Sequence, residues 1–488
     1  MRFRLRTILP EGRAAEKAGG ASGADLPPAA PPSPRGPKLI EKLASDAFLR
    51  SYENILVEPA TAWGWPAGPV WPPEPQPKPK PPSEAAPDAA APADGTPAET
   101  APETPPPGLQ RHWVNGHAVL TPPETSGREP EVIEGPCVWA GALMGHFGHF
   151  VAEHCQRLLF SRMLMPKARY IFTLPEGRGV KSVPSYFWHL CDWFEVPREQ
   201  ILFLTDRPLL VRELHVLRQG EQLERINLPF DVIHHEWCGP LPEYLQALAE
   251  LHKVKEIDFA SGGTVYVSRS QLAPLTVRMP GESYLEKRLQ DLGVTVIWPE
   301  KSPLAEQIEA YATAKRIIFA EGSSVHVRQF LGYLPQDLCI LVRRKGARFG
   351  REHLEPRAKS LSYIDPIACN VLFTVTPDGS PSRHTSIPIF DQDLLLQQFA
   401  EFGIDLAPVW DRAAYERAHD RDLADWVRAS CDEAGIEGIA HGINIMNASL
   451  LGSGRIEYMP KLRRVAMMRR RGLIEQRDAE ASGKAGTP

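Results

Sequence analysis

Between Thr264 and Val342, short apolar runs alternate with helical periods, and this alternation constrains the fold more tightly than any other feature of the chain. Thr264 to Ser268 alternates as a strand does, and the period that opens at Ser283 carries Leu285, Leu289 and Leu292 at helical spacing until Gly293 stops it. Val294 to Trp298 is the next strand, Pro303 to Ala314 a helix, Arg316 to Ala320 a strand, Ser324 to Leu331 a helix and Leu338 to Val342 a strand. Strands spaced by such helices form an open parallel sheet whose ligand site lies beyond the carboxyl ends of the strands. A looser version of the pattern starts near Glu134, with strands at Cys137–Ala140, Arg169–Thr173 and Ile201–Leu204 and helices at Phe147–Met163 and Ser182–Phe194. The expected class is α/β.

The flanks read differently. Lys38 to Tyr52 has an amphipathic helical pattern with Leu39, Leu43 and Phe48, and Trp63, Trp65 and Trp71 suggest a segment packed on the main body. From Pro66 to Pro107 the composition shifts to Pro, Ala, Glu and Thr, with a proline at every fifth residue from Pro77 to Pro102, so a disordered linker is expected. A spacer is the simpler reading, and docking of a proline-recognising module the functional one. After Phe390 the chain is mostly helical, with Leu394, Phe399 and Trp426 on apolar faces, and it ends in a basic run from Lys461 to Arg471 that fits a solvated helix face or an anionic membrane surface.

Composition removes several classes. The 488 residues carry a net charge of only -5 with acids and bases intermixed, which argues against a nucleic-acid partner. Seven scattered cysteines without close pairs fit reduced, buried thiols better than zinc or redox sites. Met1 to Arg6 is basic but is not followed by an apolar core, and no apolar stretch approaches the roughly 20 residues that span a bilayer. A cytoplasmic protein is expected, with peripheral contact at the inner membrane face as an option.

Three segments can carry chemistry. Arg269 directly follows the Thr264–Val267 strand, where its fork of donors suits a phosphate; a surface arginine is the alternative. Gly322, Ser323 and Ser324 form a strand-to-helix turn whose N–H groups attract anions, although serines there are also ordinary N-caps. A serine-hydrolase reading is weak because the Gly-x-Ser-x-Gly spacing is missing. Third, a helix beginning near Phe147 sets His149, Glu153 and Arg157 on one face, and a carboxylate four residues from an imidazole can orient it as a base. Asp391-Gln392-Asp393 matches a short metal-binding pattern, yet Asp391 sits where a helix should start and is explained more simply as its cap.

Taken in order, Gly148-His149-Phe150 with Glu153 and Arg157, Tyr266-Val267-Ser268-Arg269, Leu304-Ala305-Glu306-Gln307 and Glu321-Gly322-Ser323-Ser324 resemble glycosyltransferase family sixty-one, whose members are often labelled capsular polysaccharide biosynthesis proteins. The resemblance covers roughly residues 135–342. It implies two Rossmann-like domains facing across a cleft (GT-B type) and an inverting transfer from a nucleotide sugar, often a UDP-sugar, to a glycan hydroxyl. Residues 111–255 would form the acceptor side and 256–390 the nucleotide-sugar side, between an N-terminal segment (1–65) with its linker (66–110) and a helical C-terminal segment (391–488). His149 would be the general base with Glu153 orienting it or replacing it, Arg269 and Gly322 to Ser324 would stabilise the departing diphosphate, Glu306 would hold the ribose hydroxyl pair, and Gln307 beside it would also bind the nucleotide sugar. No metal or other cofactor is expected. The rival reading is a non-catalytic glycan-binding or scaffold protein on the same fold.

Overall fold

The computed structural model describes residues 37–59, 68–70, 112–114, 117–119, 123–143, 145–175, 177–222, 239–251, 262–276, 278–374, 382 and 385–484. Trp63, Trp65, Trp71, Cys238 and nearly all of the proline-rich segment lie outside them. The described part is a mixed α/β structure with two main sheets.

The first sheet contains β1 (Leu49–Glu58), β2 (Gly68–Pro69), β3 (Glu131–Ala142), β4 (Arg169–Thr173), β5 (Ile201–Leu204) and β6 (Leu209–Leu217) in the order β2-β1-β6-β3-β4-β5. The four strands β6-β3-β4-β5 are parallel, and β1 adds antiparallel along the whole of β6. The period of two decides what each face buries. On β3, Val138 and Ala140 join the main core, while Cys137 and Trp139 pack with Val211, Leu214 and Val216 on the other side. The second sheet contains β7 (Thr264–Val267), β8 (Thr295–Ile297), β9 (Arg316–Ala320), β10 (Asp337–Leu341) and β11 (Ser360–Ile364), all parallel, in the order β8-β7-β9-β10-β11. Its central strands read as continuous apolar runs because helices cover both faces. The order is second, first, third, fourth and fifth in chain sequence, so outgoing connections diverge to opposite faces between β7 and β9. That switch point is where ligands settle in open α/β sheets.

Several expectations need correction. The amphipathic helix foreseen over Lys38–Tyr52 stops at Leu43, and from Leu49 the chain becomes β1, because Leu49 to Val57 pairs with β6 and Val57 enters the apolar face of the sheet. Gly68 and Pro69, inside the expected linker, pair with Val57 and Glu58 at the sheet edge. The single helix foreseen over Phe147–Met163 is broken into a turn of helix at Phe147–His149, a wide π turn at Phe150–His154, and a helix at Leu158–Leu164. Cys155 N donates to Phe150 O at 2.9 Å, one residue beyond the α pattern, and re-aims the side chains that follow. The Ser324–Leu331 helix is a 3₁₀ helix from Ser323 to Phe330, and the second sheet gains a fifth strand that the apolar pattern did not reveal.

The C-terminal part is helical, as expected: Gln392–Glu401, Arg412–Gly452 with a kink at Gly435, and Met459–Lys484. Asp391 caps the first of these, accepting from Asp393 N at 3.0 Å and Leu394 N at 3.1 Å. Phe399 and Trp426 are buried, whereas Leu395 replaces the expected Leu394 as the inward residue. The six described cysteines are free and buried.

A buried ion network ties the tail of the first half to the second. Glu221 accepts from Arg357 through both oxygens at 2.9 Å and from His353 Nδ1 at 2.6 Å. Burial alone would raise the Glu221 pKa, but Arg357 and His353 override it and bring it down to about 2. Removing one partner of such a network strands the others without water. Glu221→Ala is expected to lower the unfolding free energy by about 3–5 kcal/mol in denaturant titrations; a loss below about 1 kcal/mol, the range of an exposed pair, would show that the network is not what joins the halves.

Candidate functional site

The carboxyl ends of the two sheets open onto one cavity of about 930 Å³. From the first half it is lined by His146 to His149, Ala152, Glu153, Ser185, Tyr186 and His189, and from the second by the loops that leave β7, β8, β9 and β10. Its two walls touch where Gly148 meets Ser323. A Cβ on Gly148 would stand 2.8 Å from Ser323 Oγ and 3.1 Å from Ser323 Cβ, so a larger residue here would have to displace Ser323.

On the first wall, the turn after β3 leads into Phe147–His149. His149 Nδ1 lies 3.0 Å from Glu153 Oε1, the i,i+4 contact expected from the sequence. The imidazole is 31% exposed and Glu153 fully buried, so the carboxylate supports the ring from behind. With a carboxylate as acceptor, Nδ1 carries the proton and Nε2 keeps its lone pair. His146 packs beside it, ring centroids 5.0 Å apart, and its Nδ1 accepts from His149 N at 3.4 Å. Burial, then the proximity of His149, push the His146 pKa down, which favours its neutral form. Arg157 does not continue the His149–Glu153 face into the cavity. The π turn carries it inward, where it is fully buried and donates from Nε to Leu217 O at 2.8 Å.

On the second wall, Arg269 leaves β7 at the switch point. Its N–H donates to Glu282 Oε1 at 2.9 Å and its Nη2 to Thr276 O at 2.5 Å. The guanidinium lies across Gly322, where a Cβ would come within 1.9 Å of Nη1. Gly322 is extended (φ 173°), so its bare backbone serves this close passage and not a left-handed turn. Ser323 and Ser324 follow at the start of the 3₁₀ helix, but neither hydroxyl caps it. The Ser324 hydroxyl is shielded from solvent and has no hydrogen-bond partner among the described residues. Glu321 turns away from this role and clamps the loop after β10, accepting from Arg343 N at 2.8 Å and Arg344 Nε at 2.6 Å.

The paired Glu306 and Gln307 divide. On a helix, successive residues are turned by about 100°; Gln307 lines the cavity, while Glu306 is exposed and does not. The ribose role expected of Glu306 is therefore not supported by its position. Gln307 donates from Nε2 to Pro299 O at 2.9 Å and Ser302 O at 2.8 Å, holding the loop after β8 against the cavity.

Sequence reading missed Lys301, Arg343, Arg344 and Arg348, which join Arg269 in giving the second wall a basic lining. Burial brings the Arg343 pKa down to about 10, still cationic at neutral pH. The signal was available: Arg343 and Arg344 directly follow the β10 apolar run, the same strand-end position that singled out Arg269. Among the described residues no group of three or more His, Cys, Asp or Glu side chains is arranged to hold a metal ion, and Asp393 pairs with Arg412.

Residues 147–332, which supply most of both walls, match the family model described as Glycosyltransferase 61. This region is a glycosyltransferase family 61 domain. No curated protein matches the chain. Arg343, Arg344 and Arg348 lie beyond the matched region of the family 61 domain yet line the same cavity.

Beneath Arg269 two buried carboxylates share one hydroxyl. Ser268 Oγ donates to Glu286 and lies 3.3 Å from Glu282 Oε1, which also accepts from Tyr266 OH at 2.8 Å. Burial dominates at Glu282 and lifts its pKa to about 7, against the hydrogen bonds from Arg269 N and Tyr266 that favour the ionised form. A carboxyl group raised in the folded state stabilises below its unfolded pKa, near 4.5, and loses that contribution as pH climbs to about 7. Glu282→Gln cannot ionise and should gain on wild type between those limits: urea midpoints at pH 5 and pH 8 should differ more favourably for the variant at the higher pH. An equal difference at both pH values would mean that Glu282 is ionised throughout.

Proposed function

We propose that this chain is an inverting glycosyltransferase of GT-B type architecture, with residues 111–255 as the acceptor side and 256–390 as the nucleotide-sugar side. A UDP-sugar is the favoured donor and a glycan hydroxyl the acceptor, as in capsular or surface polysaccharide synthesis. The observation that carries the reading is the single cavity with an oriented imidazole on one wall and a basic, N–H-rich switch point on the other.

In this mechanism His149 Nε2 takes the proton of the acceptor hydroxyl, and the acceptor oxygen attacks the anomeric carbon in line as the bond to the diphosphate oxygen breaks. The electron pair leaves with the diphosphate. Glu153 stabilises the imidazolium that forms on His149, and His146, kept neutral, adds no opposing charge. Arg269, Arg343 and the N–H groups at Gly322 to Ser324 meet the negative charge as it develops; preorganised donors in a partly closed cavity do this without reorganising. Cationic side chains are the proposed counter-charge, so the transfer is read as metal-independent and should survive EDTA.

The test is nucleotide release from a panel of nucleotide sugars. Wild type should release nucleotide from at least one donor; a scaffold would release none. With that donor, His149→Ala should lower kcat by about 10²- to 10⁴-fold and retain nucleotide affinity, and Glu153→Gln should do less harm. Glu153→Gln as the more damaging change, with His149→Ala nearly neutral, would reverse the two roles.

A further inference from the structure

The last helix, Met459–Lys484, packs on Arg412–Gly452 through Leu462 and Ala466, with Val465 and Leu473 at the edge of the contact. Two of its cations are used in that packing: Lys461 pairs with Asp420 and Arg469 with Asp432. The opposite stripe is different. Arg463, Arg464, Met467, Met468 and Arg471 recur at the three- and four-residue spacing that puts side chains on one helix face, and all five are exposed. The three arginines have no ion pair or hydrogen bond among the described residues, and no acidic residue interrupts the helix from Met459 to Arg471. Between them Met467 is 47% and Met468 65% exposed.

We propose that this stripe is a docking surface for an anionic lipid bilayer. Charge complementarity selects an anionic partner, and the two thioether side chains, flanked on either side by arginines, select one with an apolar phase beneath its charges. A polyanion such as a nucleic acid would satisfy the arginines but leave the methionines in water. An acidic protein would need an apolar pocket placed between its carboxylates. No described helix is long and apolar enough to cross a membrane, so the contact is peripheral. Two methionines give shallow insertion, and binding should be reversible and sensitive to salt.

Co-sedimentation of the full chain with vesicles tests this. The protein should bind phosphatidylcholine vesicles that contain about one third phosphatidylserine, bind pure phosphatidylcholine far less, and be released as salt rises towards about 1 M, where the Debye length is about 3 Å. Replacing Arg463, Arg464 and Arg471 with Gln should weaken binding about 100-fold, at roughly fivefold per cation. Replacing Met467 and Met468 with Ser should weaken vesicle binding and leave retention on heparin unchanged. Both variants alter exposed side chains only, and their melting temperatures should match wild type. Failure of wild type to bind anionic vesicles would overturn the proposal. So would vesicle binding indifferent to the methionine substitutions, which would point to a polyanion or an acidic partner.

Discussion

The geometry of the cavity depends on two places where a side chain is absent. At Gly322 the guanidinium of Arg269 passes across bare backbone at a distance that even one methyl group would block. At Gly148 the first wall touches Ser323 of the second, where an added Cβ would stand 2.8 Å from Oγ. These two approaches bring a basic strand end and an oriented imidazole, from different sheets, to the same space. Larger residues at either point would push the walls apart or swing the arginine out, although neither glycine adopts a left-handed backbone that would demand it on conformational grounds.

Around this contact the polar groups that line the cavity are themselves held by buried partners. Glu221 fixes His353, Glu321 fixes the Arg343–Arg344 loop, Glu282 fixes the Arg269 backbone, and Gln307 fixes Pro299–Ser302. Each buried carboxylate costs desolvation and is tolerated because specific donors meet it. Together they hold the cavity's arginines in place, and in the proposed mechanism such preorganisation is where electrostatic stabilisation is most effective.

The sequence was most legible in the second sheet. Its central strands are buried on both faces, so they appear as uninterrupted apolar runs, and the bounds of Arg316–Ala320 could be read directly. Strand β1 was illegible because it pairs with a partner some 160 residues away, and Leu39, Leu43 and Phe48 alone read as one helix. The His149–Glu153 contact was legible since four-residue spacing brings side chains together at the start of a helix. The π turn that follows was not, because a single widened hydrogen bond leaves no mark on composition. Motif order brought both Glu306 and Gln307 into the site, and helix geometry leaves only Gln307 on the cavity wall. The arginines after β10 belong to no motif, and only their place at the carboxyl end of a parallel strand marks them as candidates.

The most direct test is calorimetric titration of a nucleoside diphosphate, and of the corresponding nucleoside, into wild type, Arg269→Ala and Gly322→Ala. If the diphosphate rests against an arginine that needs Gly322 to stay in place, both variants should lose roughly 1.5–3 kcal/mol of diphosphate affinity, the range for a charge-assisted hydrogen bond. Binding of the nucleoside alone should be weak and equal in all three. Diphosphate affinity unchanged in both variants would contradict the account, because the Arg269–Gly322 contact would then be architecture and the anion would sit elsewhere.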